Sequence, residues 1–424
     1  MYSQLTVLAK RVLSYPNRIL FPGPFWVKVS IVPAWWHTWN EDRHIWLLHL
    51  QDRYAYGHIF GPKGNVKKGE YYQVWPRTVD SLNTWTTTDI SVHAHMRRVL
   101  NHAFSENALR GAEAFIQTNS YEDWIGPINM ADQVTYLVFD ILGDLCFGRC
   151  LDMKETNRTL RHKPDMVIGF MELLHPVCAA ELVTRGLDRL LAIATLPAIE
   201  NWGNFVENCR ESRSERQNEL DESGTGSELL VIAGSDTSST VIAATFFYLR
   251  RTPHVQKLQS CKYLTVFIQE GLRMALPVSA EPSREVLKGG TVVSYSPKGS
   301  MVSTAFWAVQ YNQDYHPEPL KFRPERWVTG AAGSTKESVA LSESAFYAFS
   351  MGSRGCVGKN MAWLEMRIIG AKVIWKFEFE QDMFNKLGGG TVHGRHGRHQ
   401  EGQYQTYEIS VSSRKGPVYL NERA

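Results

Sequence analysis

The run FSMGSRGCVGKNMA, Phe349 to Ala362, sets one cysteine, Cys356, among three glycines just ahead of an apolar, helix-like segment. A cysteine so placed has three readings. A phosphate-binding loop needs two glycines four residues apart, then Lys and Ser or Thr, whereas five residues separate Gly352 from Gly358 and Asn360 follows Lys359. That reading fails on spacing and on residue type. A buried structural thiol in a turn is the usual fate of a lone cysteine. The third reading, an axial thiolate to haem iron, accounts for the neighbours as well. Backbone N–H groups aimed at a sulfur lower its pKa and tune a metal, and Gly352, Gly355 and Gly358 permit such a backbone. Phe349 then covers the loop, Arg354 meets a haem propionate, and Gly358 lets the helix KNMAWLEMR begin close to the porphyrin.

Three other groups of residues invite chemistry. Ala233 to Ser238, AGSDTS, interrupts an otherwise apolar stretch, where Asp236 and the hydroxyls are costly unless they serve a purpose. They suit proton movement, and they equally suit hydroxyls bonded back to the preceding turn. Glu270 and Arg273 share a helix face at i, i+3, which on its own describes any surface ion pair. His393, His396 and His399 recur every third residue, but flanking glycines leave them unorganised, so a solvated loop outweighs a metal site.

These residues need a scaffold, and the chain is long enough to supply one. It has 424 residues, 43% of them hydrophobic, which fills a substantial core. The net charge of +3 balances 46 basic against 43 acidic residues, so no basic field argues for nucleic acid. Six scattered cysteines do not make a disulfide framework. No run of about 18 apolar residues is present to span a bilayer. FPGPFW, Phe21 to Trp26, reads as an extended lead-in to a fold over residues 21–424, with residues 1–20 outside it and without an anchor.

Helical periodicity dominates from about Asp89. HAHMRRVLNHAFSENALRGAEAF reads as one amphipathic pattern, and Ala131 to Gly148 as a second that Gly148 stops. Ser227 to Arg251 is apolar nearly all round and so belongs inside. YLTVFIQEGLRMALP is a helix ended by Pro277, while GGTVVSYSP and TYEISVSS are short strand-like runs. Residues 211–226 read as a solvated polar segment and residues 388–402 as a mobile loop.

Phe349-x-x-Gly352-x-Arg354-x-Cys356-x-Gly358 resembles, position by position, the haem-binding signature of the cytochrome P-450 family of haem-thiolate monooxygenases. Further family landmarks follow in the right order. The stretch around Asp236 and Thr237 resembles the oxygen-activation motif, which implies a local widening of the helix and a proton relay through both residues. Glu270-x-x-Arg273 with FRPERW resembles the buried charge triad, here Glu270, Arg273 and Arg326. His93-x-x-x-Arg97 and Arg284 resemble the family's propionate ligands, and GDLCFG a helix end of fungal members.

The resemblance implies a mainly α fold with minor β sheets, a prism of helices enclosing haem b whose iron takes Cys356 as ligand. It implies a monomer that receives electrons from NADPH through a reductase and uses O2 to oxidise a small organic substrate. Leu230, Ile232, Ala233 and Val241 would offer that substrate an apolar wall, and Arg354, Lys359 and Arg367 a positive face for the reductase. Fungal secondary-metabolite biosynthesis is the implied setting. The implied location is the cytoplasmic side of the endoplasmic reticulum, although without an anchor the chain could be soluble. The family's segments also run short between HIFGP and KGNVKKGE, before SELLVIAGSDT, and from Thr237 to Glu270. Two alternatives therefore stand beside the monooxygenase: a haem-thiolate isomerase or dehydratase needing no reductase, and a degenerate haem binder without activity.

Overall fold

The computed structural model describes residues 32–48, 56–73, 82–119, 128–147, 150–155, 161–179, 227–252, 261–279, 282–290, 296–376, 388–395, 397–409, 413–415 and 419–420. The lead-in and the polar segment 211–226 lie outside them.

Short helices α1 (Val32–Trp39), α2 (Arg43–Leu48) and α3 (Tyr56–Phe60) precede strand β1 (Val66–Lys68). The amphipathic pattern after Asp89 forms two helices, not one: α4 (Ile90–Ala103) and α5 (Glu106–Asn119). Asp89 caps α4 by accepting the Val92 N–H at 2.8 Å, and the chain leaves the helix at Phe104, where the path turns. Two-residue strand β2 (Ile128–Asn129) leads into α6 (Met130–Phe147), which ends just before Gly148. Helix α7 (Lys163–Ala179) follows, then the long α8 (Ser227–Arg251) and α9 (Cys261–Met274).

Strands β3 (Arg284–Val286) and β4 (Met301–Val302) come next, with α10 (Phe306–Gln310), α11 (Lys336–Ser344) and α12 (Lys359–Lys376). Strands β5 (Thr406–Glu408), β6 (Ser413–Lys415) and β7 (Tyr419–Leu420) close the chain. Among the described residues all pairings are antiparallel: β1-β3-β4 in one sheet, β2-β7 in a second and β5-β6 in a third. Of the strand-like run GGTVVSYSP, residues 291–295 lie outside the described residues.

Because α8 is apolar on nearly every side, it must be wrapped. It packs along α6 and also against α9 and α12. Phe139 and Leu142 of α6, Val241 and Phe246 of α8, Phe267 of α9 and Ile369 of α12 share one buried cluster. Phe322 joins it by stacking on Tyr248 with ring centres 4.2 Å apart.

The glycine-rich segment 388–402 is a packed loop, contrary to the mobile one its composition suggests. Gly389 bridges Tyr404, and Thr391 donates its N–H to the Arg398 carbonyl at 3.0 Å. Buried Arg398 donates to Gln405 Oε1 (3.0 Å) and to the carbonyls of Thr406 (3.1 Å) and Glu41 (3.3 Å). The glycines serve close approach: a Cβ at Gly390 would lie 2.5 Å from the Arg398 carbonyl oxygen.

One buried carboxylate knits the C-terminal half together. Glu270 is fully enclosed and accepts from Arg273 Nε (3.0 Å) and Nη2 (2.9 Å), from Arg326 Nε (3.0 Å), from Trp327 Nε1 (2.9 Å) and from the Arg323 N–H (3.0 Å). Burial pushes its carboxyl up, but Arg273 and Arg326 outweigh that and hold it below the usual range. Arg273 reaches on to the Gln310 carbonyl at 2.9 Å, so α9, the end of α10 and residues 323–327 are fixed as one unit. Glu270→Ala would leave two guanidinium groups buried without their partner. It should lower the free energy of urea unfolding by roughly 3–5 kcal/mol, and a loss below about 1 kcal/mol would mean that the carboxylate does not hold this region.

Candidate active site

Cys356 sits between a 3₁₀ turn at Gly352–Arg354 and the start of α12. Its N–H donates to the Phe349 carbonyl at 2.8 Å, which folds the loop back on itself. Gly352 is the position where glycine is obligatory: φ is +68°, and a Cβ would lie 2.6 Å from the Phe60 carbonyl oxygen. At Gly358 a Cβ would meet only Cys356 Sγ and Phe104 at 3.9 Å, so no described protein atom demands glycine there. The Phe349 ring lies 6.1 Å from Trp363 at a tilt, with Lys359 Nζ 5.9 Å from its centre.

Cys356 is exposed as a residue, yet the protein packed around it pushes its thiol up. A group exposed at its own surface and enclosed on the wider scale lines a recess. Opposing that burial, the backbone N–H groups of Gly358 and Lys359 and the charge of Arg97 favour the thiolate.

The buried helix α8 opens at the turn from Ala233 to Thr237. Ala233 is exposed and Thr237, one turn on, is partly so, while residues 238–250 are buried throughout. Thr237 Oγ1 donates to the Ala233 carbonyl at 2.6 Å. The expected widening is absent: α8 runs unbroken through this point, with its hydroxyl closing the turn instead. Asp236 is 5% exposed and lies on the side where its charge acts on Tyr404. Leu230 is half-buried, whereas Val241 belongs to the core beside Gly271 and so offers no open wall.

Ser238 Oγ donates to Glu365 Oε2 at 2.8 Å, joining α8 to α12. Glu365 is 1% exposed, and burial pushes its carboxyl up to about 8, partly offset by that hydrogen bond. The signal was present in the sequence, because 365 falls on the buried stripe of Met361 and Ile369, where an acid is out of place. The bond ties the thiol's helix to the hydroxyl's helix.

Basic residues gather beside the thiol loop. Arg97 donates to the Gly355 carbonyl and, through Nε, to Asn101 Oδ1 at 3.1 Å. Arg354 donates to the carbonyls of Thr87 (3.2 Å) and Asp89 (3.5 Å), so it turns inward to α4. Only Lys359 and Arg367 of the expected positive face are exposed; Arg367 lies over Trp363 with its guanidinium 5.0 Å from the ring. Arg284 lies over Phe60 at 4.8 Å and donates to Tyr72 Oη at 3.3 Å. Burial first, then the charges of Arg354, Lys68, Arg97 and Arg284, push buried His93 down to about 3 and keep it neutral. Lys68, not anticipated from the sequence, belongs to the same group and is 5% exposed.

Among the described residues, none of these five basic groups forms an ion pair with a carboxylate. A recessed thiol bonded by two N–H groups, a neighbouring cluster of cations and an open step on α8 fit an iron tetrapyrrole carrying two carboxylates. Cys356 would be its ligand, and Arg97, Arg284, Arg354 and His93 would surround its carboxylates. Among the described residues no cluster of His, Cys, Asp and Glu could hold a separate metal ion, and no helix is long and apolar enough to cross a membrane.

The family model described as cytochrome P-450 matches residues 250–387. Curated relatives include cytochrome P-450 monooxygenase AKT7 of Alternaria alternata, 28% identical over 98% of this chain and 97% of the relative. Monooxygenase apf8 of Gibberella fujikuroi is 30% identical over 69% of this chain and 91% of the relative. The alignment with AKT7 runs over 510 positions, more than this chain's 424 residues, so the relative carries residues without a counterpart here. Among solved structures, the cytochrome P-450DA heme domain matches with TM-score 0.61 at 16% identity over 88% of this chain and 87% of that one. A 6-coordinated cytochrome P-450 from Thermus thermophilus matches with TM-score 0.57 at 18% identity, over 87% of this chain and 90% of that one. The fold is therefore theirs.

The neutral state of Glu365 is testable. The folded chain holds this proton more tightly than the unfolded one, so the stability it contributes is complete below the ordinary carboxyl range and is lost as pH rises toward 8. From pH 6 to 8, wild-type stability to urea should fall relative to Glu365→Gln by up to about 1.4 kcal/mol per unit. Parallel pH profiles would show the carboxyl already ionised.

Proposed function

The chain belongs to the cytochrome P-450 family, whose members are oxygen-incorporating oxidoreductases, and from that premise we propose that it hydroxylates or similarly oxidises a small, largely apolar substrate. The setting we propose is fungal secondary-metabolite biosynthesis, supported by relatives from Alternaria, Gibberella and Penicillium species. Electrons come from a redox partner, for which we propose a reductase drawing on NADPH.

The observation that carries this reading is the recessed thiol of Cys356 with the N–H groups of Gly358 and Lys359 upon it. When bound, haem supplies one-electron chemistry and dioxygen activation. The chain's own residues do the rest. Burial holds Cys356 toward its neutral thiol, and two N–H donors with Arg97 offset part of the cost of ionising it when it takes up a metal. His93, Arg97, Arg284 and Arg354 would hold the cofactor's carboxylates.

Thr237 exposes its hydroxyl at the open step of α8. For it to hold a proton at Oγ1 for the reacting oxygen, the bond to the Ala233 carbonyl must be given up, a local rotation about χ1. Asp236, next in the chain, is the acid from which that proton is replenished. Ala233 and Leu230 present apolar surface beside Thr237, which suits a substrate held by shape and not by charge. Exposed Lys359 and Arg367 on α12 offer an electron donor an approach to the helix that begins beside the thiol.

Reduced protein treated with carbon monoxide should show the red-shifted band of a thiolate-ligated haem, and Cys356→Ser should abolish it. Survival of that band in Cys356→Ser would remove the central assignment. Thr237→Ala should keep the band while lowering product formed per NADPH consumed several-fold, because electrons then leave as reduced oxygen. Unchanged coupling would exclude Thr237 from proton delivery.

A further inference from the structure

Strands β1 and β3 pair so that Lys67 faces Glu285 and Lys68 faces Arg284. On one face the pairing is matched, with Lys67 Nζ 3.0 Å from Glu285 Oε2. On the other face two cations stand directly opposite each other, each only 5% exposed. Like charges in that position destabilise a strand pair, and burial makes the repulsion worse.

A lysine with a structural role ordinarily runs its stem along the surface and leaves the ammonium in water. Lys68 does the opposite. Its Nζ donates to the carbonyls of Thr84 (3.1 Å) and Trp85, with the ring centres of Tyr72 and Trp85 at 4.5 and 4.8 Å. Tyr72 also accepts from Arg284, so one ring separates the two cations. From the other elements that face this place come Arg354 of the thiol loop and His93 and Arg97 of α4. Asp89, which acts on Arg354, is exposed and already bonded to Ser91 and Val92.

Among the described residues no carboxylate pairs with Lys68, Arg284, Arg354, Arg97 or His93. On the haem reading above, which this inference rests on, the cofactor brings two carboxylates to them. We propose that Lys68 is a fifth member of the cradle for those carboxylates, and that its amine takes up a proton from solvent when they bind. Burial, Arg354 and Arg284 together push Lys68 down to about 6, so near neutral pH the amine is largely uncharged. Carboxylates entering among the arginines would cancel their repulsion, and Nζ would then gain one H⁺ from solvent, separately from the proton that Cys356 gives up on ligation. Arg284 and Arg354 cannot act in this way, since a guanidinium stays charged. Lys68 thus makes cofactor retention depend on pH.

The test loads the full-length protein at pH 8, in weak buffer, with haemin or with haemin dimethyl ester, and counts protons. Cys356 loses its proton to iron ligation in both cases, so the difference isolates the carboxylates. Haemin should take up close to one proton more than the diester, and that excess should fall by most of a proton in both Lys68→Met and Lys68→Arg. An excess that is absent in wild type, or unchanged in both variants, overturns the proposal. In the holoprotein, transfer of haem to an excess of a haem-scavenging globin should accelerate with pH above neutrality, by up to about tenfold per unit, and clearly less in Lys68→Met. Equal slopes would also overturn it. Wild type lacking a thiolate-type spectrum would overturn the haem reading itself, a result visible before any proton is counted.

Discussion

Burying the Glu270 carboxylate is the constraint on which the rest of the molecule is hung. An isolated carboxylate cannot remain ionised inside a protein, so every lone pair must find a donor. Meeting that need draws in Arg273 from one turn along α9, Arg326 and Trp327 from a 3₁₀ turn, and the backbone of Arg323. Trp327 packs its ring edge against Phe346 at 5.4 Å, and Phe346 lies three residues before Phe349, whose carbonyl receives the Cys356 N–H. The thiol loop is thus anchored at its approach by a charge cluster and at its exit by α12. Irregular backbone with three glycines acquires a fixed shape because both ends are held.

The same logic explains what could be read along the chain and what could not. Contiguous patterns were legible: the thiol loop, the full length of α8, the i, i+3 pair of α9 and the start of α12 all follow from residues that are neighbours in sequence. Contacts that depend on register or packing were not. Nothing local says that Lys68 stands opposite Arg284, since 216 positions separate them and only the β1-β3 alignment brings them together. Ser238 and Glu365 meet because α8 and α12 cross there.

Composition misled in two instructive ways. Glycines at 388–402 suggested a mobile loop, but they are the small residues that let Arg398 bury its guanidinium among carbonyls. The long amphipathic pattern after Asp89 kept its period across Phe104, although the chain turns there; periodicity reports which face is apolar and is blind to a change of axis. Thr237 shows a third case, where a hydroxyl that closes a turn also lies where the proposed proton delivery would need it. It closes the turn on Ala233 and it lies at the open step, so its bond must break before it can act.

Charge is handled in opposite ways on the two sides of the site. Around Cys356 and Glu365, acidic groups are driven toward their neutral forms by burial, which the N–H donors and nearby charges at the sulfur and the Ser238 bond at Glu365 only partly offset. Around Lys68, Arg284, Arg354 and Arg97, cations accumulate and burial weakens the basic group that is able to lose its proton. A thiolate metal ligand lowers the first imbalance and an anion lowers the second. A single cofactor carrying both a metal and two carboxylates would relieve the two at once, and its binding energy would then become folding energy. Among the described residues these cations have no carboxylate partner, and on the proposal above the cofactor is what supplies one to the β1-β3 pairing.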